Sequence, residues 1–275
     1  MDNNYKTPRV IPVKADAPNP KIKPVHPNIP QCPALLLGIG AVRSGKTTLL
    51  NSIIFQTKEN GFYDAQTYFD EIAVMSNTIN NDPSARFIKK ACSVTDHYSD
   101  GMIMDLIEKQ KSYGERDDQP FTALFLDDIL SKNMKRNSEI SFLCTRYRHL
   151  NIGLLGIFTQ NLKSVDTIIR NNATDVIIFK QTNNKQLIGV MEEWSGVFGG
   201  DKNFMKIYNY ATRKPFDFLY LKVYEGKALR SFEEVIADKD KLLFDFNPIE
   251  QEIKKDKKEV KKLMKEECSD EECDC

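Results

Sequence analysis

Gly40-Ala-Val-Arg-Ser-Gly45-Lys46-Thr47 lies between the apolar run Ala34-Leu-Leu-Leu-Gly-Ile39 and the helix-like run Thr48-Leu-Leu-Asn-Ser-Ile-Ile-Phe55. It matches the phosphate-loop pattern G-x-x-x-x-G-K-[ST] in the strand–loop–helix context that the pattern requires. The two glycines let the backbone curl so that successive N–H groups converge on a phosphate, and the following helix aims its positive end at the same point. In that geometry Lys46 reaches the β- and γ-phosphates and the Thr47 hydroxyl holds Mg²⁺. The stretch predicts a nucleotide-binding loop of Gly40, Ala41, Val42, Arg43, Ser44, Gly45, Lys46, Thr47 and Thr48, with ATP and Mg²⁺ as ligands.

Outward on the C-terminal side, residues 68–76 read as a strand, and residues 83–92 and 102–113 as helices. Next comes Phe121-Thr-Ala-Leu-Phe-Leu126-Asp127-Asp128, an apolar run that ends in two carboxylates. A continuous apolar run is what a buried parallel strand looks like, and open α/β sheets bind ligands at the C-terminal ends of their strands. Asp127 is then placed to bind Mg²⁺, and Asp128 either polarises an attacking water or caps the next turn.

Residues 138–149 have a helical pattern and lead into the strand Ile152-Gly-Leu-Leu-Gly-Ile-Phe158-Thr159-Gln160. Gln160 puts a neutral amide at the end of a buried strand. Many ATPases with this loop set an amide there against the γ-phosphate or the water, and a glutamine is otherwise a polar strand end. Residues 165–172 read as a short helix, 174–180 as a strand, 185–194 and 202–210 as helices, and 216–224 as the final strand. Alternation of this kind specifies α/β architecture: a mostly parallel central sheet flanked by helices.

A chain of 275 residues fits one sizeable α/β domain with appendages. Its 41% hydrophobic and 10% aromatic content is that of an ordinary globular protein. No window reaches the apolar length of a membrane span, and the first residues lack the basic start and apolar stretch of a signal peptide, so the chain reads as intracellular. The ATPase domain is expected over residues 34–245. Residues 1–33 hold eight of the twelve prolines and read as an extended arm, either a disordered leader or a strap onto a neighbouring subunit. Residues 246–275 turn to Lys-rich and then acidic, Cys-bearing sequence and read as a solvated tail. Cys268, Cys273 and Cys275 could ligate zinc only with a fourth ligand from elsewhere.

The formal net charge is zero, which argues against coating nucleic acid by bulk charge. DNA contact would need local patches such as Lys132, Lys135 and Arg136, or Lys163, brought together around a ring of subunits.

With the phosphate loop, Leu-Asp127-Asp128, Arg146-Tyr-Arg148-His149 before a strand, Thr-Gln160 at its end and Ile169-Arg-Asn-Asn-Ala-Thr-Asp-Val-Ile-Ile-Phe179 in view, residues 34–225 resemble the poxvirus-type DNA-packaging ATPases of large DNA viruses and virophages. These belong to the FtsK–HerA class of pumps. The resemblance implies a RecA-like P-loop NTPase fold, a hexameric or pentameric ring, and ATP-driven translocation of double-stranded viral DNA into a preformed capsid. Capsid portal or vertex components are then partners, and the host cytoplasm, a viral factory or the virion the setting. By position, Lys46 and Thr47 match the first nucleotide motif, Asp127 and Asp128 the second, and Gln160 the sensor. Arg148 matches the arginine that acts on a neighbour's nucleotide, with Arg146 and Arg170 as competitors. Many relatives carry Glu where this chain has Asp128, whose carboxylate is one methylene nearer the backbone.

Other classes fit less well. A small GTPase needs Asn-Lys-x-Asp to read guanine, and Asn184-Lys185 continues as Gln186-Leu187. A nucleotide kinase carries an Arg-rich lid, and no such cluster is present. The non-enzymatic alternative is a structural virion or assembly protein that binds nucleotide without sustained hydrolysis.

Overall fold

The computed structural model describes residues 19–115, 117–128 and 139–245. Six parallel strands form its centre: β1 (Ala34–Ile39), β2 (Glu71–Ser76), β3 (Ser93–Thr95), β4 (Thr122–Asp127), β5 (Ile152–Thr159) and β6 (Asp175–Phe179). Four antiparallel strands extend the sheet: β7 (Phe218–Lys222), β8 (Lys227–Arg230), β9 (Glu234–Asp238) and β10 (Lys241–Leu242). The order across it is β10-β9-β8-β7-β6-β1-β5-β4-β2-β3.

β1 and β5 are buried at every position, which is why both read as unbroken apolar runs. Successive side chains still point to opposite faces. Leu35, Leu37 and Ile39 join a core with Ile103 and Ile107 of α4 (Asp100–Ser112), Leu143 of α5 (Glu139–Arg146), Ile169 of α6 (Thr167–Asn172), Trp194 of α7 (Asn184–Trp194) and Phe204 of α8 (Asp201–Ala211). Ala34 and Leu36 join the opposite core with Leu50 and Ile53 of α1 (Lys46–Phe55), Tyr68 of α2 (Ala65–Tyr68) and Ile88 of α3 (Ile88–Ala91). Burying one such side chain contributes about 1.5–3 kcal/mol, so a strand with core on both faces holds the centre of the sheet.

Short-range chemistry sets several helix starts. Ser99 accepts from the Met102 N–H, Asp166 from the Ile168 N–H and Asn183 from the Lys185 N–H. Each satisfies a donor that has no partner inside the helix.

The structure revises some boundaries expected from the sequence. Residues 65–68 are helical, so the strand expected from 68 begins at Glu71. The expected helix 83–92 is a 3-10 turn, Pro83–Arg86, then α3, and the unexpected short strand β3 follows at once. The helix expected over 138–149 stops at Arg146, and a 3-10 turn covers Tyr147–Leu150. The strand near 216–224 is not the last. It pairs antiparallel with β6 and opens a meander of three further strands. Residues 1–18, the Lys132, Lys135 and Arg136 patch, and the Cys-bearing tail lie outside the described residues.

Residues 19–33, expected to form part of an arm, lie along the body of their own chain. Asn19 is buried and donates through Nδ2 to Asn151 Oδ1 at 2.6 Å. Buried Tyr63 donates its hydroxyl to Pro30 O at 2.6 Å, and Lys222 Nζ donates to Pro27 O at 2.9 Å. Ile29 and Cys32 enter the core against α1. The bonds from Tyr63 and Lys222 satisfy carbonyls of a proline-rich segment that has few N–H groups with which to form structure of its own.

Candidate active site

Parallel pairing brings four strand ends to one level. Ile39 pairs with Thr159, Asp127 with Phe158, and Ser76 with Asp127, so the residues after β1, β2, β4 and β5 share one edge of the sheet. β5 lies between β1 and β4, which puts Gln160 between the phosphate loop and the two carboxylates.

The loop leaves β1 through Gly40, whose N–H donates to Thr159 O at 3.0 Å. A Cβ on Gly40 would sit 2.4 Å from Ser44 Oγ and 2.9 Å from Phe179 Cδ2, so only glycine fits there. Gly45 has φ +109°, which glycine adopts without strain, and Arg43 also lies in the left-handed region. Val42 and Arg43 are exposed at the loop's outer turn.

α1 starts at Lys46 with no side-chain cap and no acidic residue in its first turn. Its leading N–H groups therefore lack intrahelical acceptors and carry the positive end of the helix dipole. Lys46 is buried, and its Nζ donates to Gly40 O at 2.9 Å and Ala41 O at 3.1 Å, which holds the ammonium across the mouth of the loop. Ser44 Oγ is buried without a hydrogen-bond partner among the described residues. An uncapped helix start, a buried cation and an orphaned hydroxyl in one concave loop suit an anionic ligand with several oxygens.

Asp127 is buried and accepts from Ser76 Oγ at 3.1 Å. Burial, and then the neighbouring Asp128, push its carboxyl up to about 6, against the opposing pull of Ser76 and Lys46. Such a carboxylate, close enough to Lys46 to feel its charge, is one that a divalent cation would compensate. Among the described residues no group of three or more His, Cys, Asp or Glu side chains could hold a metal alone. The arrangement suits Mg²⁺, which commonly takes one or two protein oxygens and fills its remaining positions with water and phosphate.

Asp128 is turned out of the strand by a left-handed backbone conformation, φ +48°, which aspartate tolerates better than most residues. Its Oδ2 accepts from Gln160 Nε2 at 3.1 Å, and its backbone carbonyl accepts from Asn77 Nδ2 at 3.3 Å. The last residue of β4 and the one after it thus diverge: Asp127 is buried, and Asp128 lines a cleft of about 680 Å³ with Lys46, Thr47, Thr48 and Gln160.

Arg148 lies at the opposite edge of the sheet, ahead of β5, whose eight residues span about 26 Å. It cannot reach the loop of its own chain. Its Nε donates to Tyr147 Oη at 3.1 Å, and it lines a small cavity with Asp175, Lys222 and Glu225. Of its competitors, Arg170 is paired with Glu193, and Arg146 lies 3.8 Å over the Phe142 ring. Lys163 is exposed in the turn after β5, beyond Gln160.

Sequence reasoning missed Ser76, which donates to the Asp127 carboxylate, Asn77, which donates to the Asp128 backbone carbonyl, and the Thr78, Asn81 and Asp82 side chains of the cleft wall. The polar run Ser76-Asn-Thr-Ile-Asn-Asn-Asp82 at the end of an expected strand was the available signal. Phe216, which also borders the cleft, carries no comparable signal.

No family model matches this chain, and no curated protein matches it. Solved structures do. The genome packaging NTPase B204 from Sulfolobus turreted icosahedral virus 2, in complex with AMP, is similar with a TM-score of 0.52 and 15% identity, over 71% of this chain and 95% of that one. B204, the DNA-packaging ATPase from Sulfolobus Turreted Icosahedral Virus, is similar with a TM-score of 0.50 and 14% identity, over 74% of this chain and 96% of that one. At such identities the likeness is one of fold.

Proposed function

We propose that this chain is an ATPase of the FtsK–HerA class that drives double-stranded viral DNA into a capsid, working as a ring. One observation carries the reading: Lys46, Thr47, Asp128 and Gln160 line a single cleft at the C-terminal edge of a parallel sheet, with buried Asp127 beneath. The similarity of fold to the B204 packaging ATPases supports it.

Each residue has a role in this mechanism. Lys46 neutralises charge on the terminal phosphates, and the leading N–H groups of α1 bind their oxygens. Thr47 and Asp127 would hold Mg²⁺, which would supply neutralisation of the charge on the transferred phosphoryl group. Asp128 accepts a proton from the attacking water, and Gln160 orients both the carboxylate and that water. The hydrogen bond from Gln160 restrains Asp128, whose side chain is shorter than glutamate. In a ring, Arg148 would face the next subunit's nucleotide, since its own lies a strand length away. Lys163, with Lys132, Lys135 and Arg136, would supply the cations that meet DNA phosphates. The proposed setting is the host cytoplasm, a viral factory or the virion, with portal or vertex components as partners.

Steady-state ATP turnover with and without duplex DNA, measured beside oligomer mass, separates the pump from a nucleotide-binding scaffold. The pump predicts turnover stimulated by duplex DNA, with an affinity that falls steeply with salt and hardly depends on sequence. Nucleotide binding without turnover would favour the scaffold.

A further inference from the structure

Across Phe216 from the phosphate cleft lies a second cavity, of about 740 Å³. The two share Gly45, Thr48 and Phe216, so the second cavity opens directly onto the start of α1. Five phenylalanines line it, Phe62, Phe179, Phe216, Phe218 and Phe232, together with His26 and Asn28 of the segment ahead of β1, and the Asn28 amide donates to Phe232 O at 2.9 Å. Its volume lies within the range of small-molecule sites, which are largely apolar with a few polar groups at fixed points.

Phe216 stands between the two. Its φ is +67°, in the left-handed region that bulky residues avoid, and its side chain is 71% exposed. It gains little burial, and its backbone is strained, so the position does not serve packing. Residues held in such conformations cluster at ligand clamps, where surrounding structure enforces the strain. Its Cδ1 lies 3.5 Å from where a Cβ on Gly45 would be, so the ring sits against the phosphate loop itself.

We propose that this second cavity takes the base and ribose of the nucleoside triphosphate whose phosphates occupy the loop, with Phe216 stacked on the base. The proposal rests on the nucleotide reading of the Lys46 loop. An exposed ring against the phosphate loop offers a flat apolar face to a heterocycle, and His26 and Asn28 add polar groups to the lining of the pocket. Stacking a base on an aromatic side chain changes affinity by about 5- to 150-fold when the ring is removed.

The test is calorimetric titration of the full chain in Mg²⁺ with ATP and, separately, with inorganic tripolyphosphate. Phe216→Asn suits it because asparagine tolerates the left-handed region. The variant should lose about 5- to 150-fold in ATP affinity, bind tripolyphosphate as the wild type does, and melt no lower than the wild type without ligand. Phe216→Trp should keep ATP affinity, and its fluorescence should respond to ATP but not to tripolyphosphate. The chain's other tryptophan, Trp194, is buried on α7. Unchanged ATP affinity in Phe216→Asn, or equal losses for ATP and tripolyphosphate, would overturn the base site while leaving the phosphate loop standing. Failure of tripolyphosphate to bind the wild type would remove the loop reading and this proposal together.

Discussion

Asp127→Asn should stabilise the unliganded protein while abolishing magnesium-dependent turnover. In the folded chain Asp127 is 4% exposed, and its carboxyl ionises at about 6 rather than at the ordinary 3.8. Folding therefore raises its affinity for a proton, so above pH 6 the ionised group costs stability. At about 1.36 kcal/mol per pH unit the cost approaches 3 kcal/mol. The sign follows from proton counts. Below pH 3.8 both folded and unfolded chains carry the proton and there is no penalty. Between 3.8 and about 6 the folded chain holds more protons than the unfolded one, so this group lowers stability as pH rises through that window. Asparagine carries no charge and can still accept from Ser76 Oγ through its own Oδ1. For a domain of this size, up to about 3 kcal/mol corresponds to a rise in Tm of roughly 6–12 °C. Differential scanning calorimetry in EDTA at pH 4 and pH 8 measures it. The variant should lead clearly at pH 8 and by much less at pH 4. A variant less stable than the wild type at pH 8, or equally displaced at both pH values, would refute the argument that Asp127 is a buried charge awaiting a cation.

Lys46→Ala should abolish turnover and weaken ATP binding, whereas Asp128→Asn should bind ATP and lower kcat by about 10²–10⁴, a contrast read by pairing turnover with equilibrium binding. Mixing inactive Arg148→Ala and Lys46→Ala subunits should restore part of the activity, because some interfaces would join an intact loop to an intact arginine; no recovery in a confirmed co-assembly would show that Arg148 is not shared between subunits. Tyr63→Phe should cost about 1–3 kcal/mol in denaturant unfolding, since it leaves the buried Pro30 carbonyl without its 2.6 Å hydrogen bond; no loss would mean that residues 19–33 contribute little to the folded body.

Local features are written in contiguous residues, so the sequence alone determines them. The turn from β1 into α1 depends on Gly40 and Gly45, with Lys46 and Thr47 next to them, and its strand–loop–helix form reads correctly because its defining residues are contiguous and Lys46 bonds back to Gly40 O and Ala41 O, a few positions away. β1, β4 and β5 read correctly because full burial demands unbroken apolar runs. The parallel, helix-flanked character of the centre follows from their alternation with helices. Placement of Asp127 and Asp128 at a strand end was equally legible. Their different environments were not, since these come from Ser76 on β2 and Gln160 just after β5.

Pairing partners, by contrast, are chosen by long-range packing. Nothing within residues 216–242 announces that β7 reverses against β6 and continues as a meander, because an apolar pentapeptide looks the same beside a parallel or an antiparallel neighbour. The short β3 owes its existence to β2 rather than to its own three residues. The segment ahead of β1 could be read as an arm but not given a destination, since its hydrogen bonds run to Tyr63, Tyr68, Asn151 and Lys222, between 33 and 195 positions away. The same holds for the edges of the sheet. Arg148 and Gln160 are near neighbours in sequence, yet one buried strand separates them by its full length, and only the fold decides that Gln160 meets Asp128 while Arg148 faces away. The left-handed turn that presents Phe216 beside the phosphate loop is likewise imposed by the surrounding chain against the residue's own backbone preference, and so only the tertiary structure decides it.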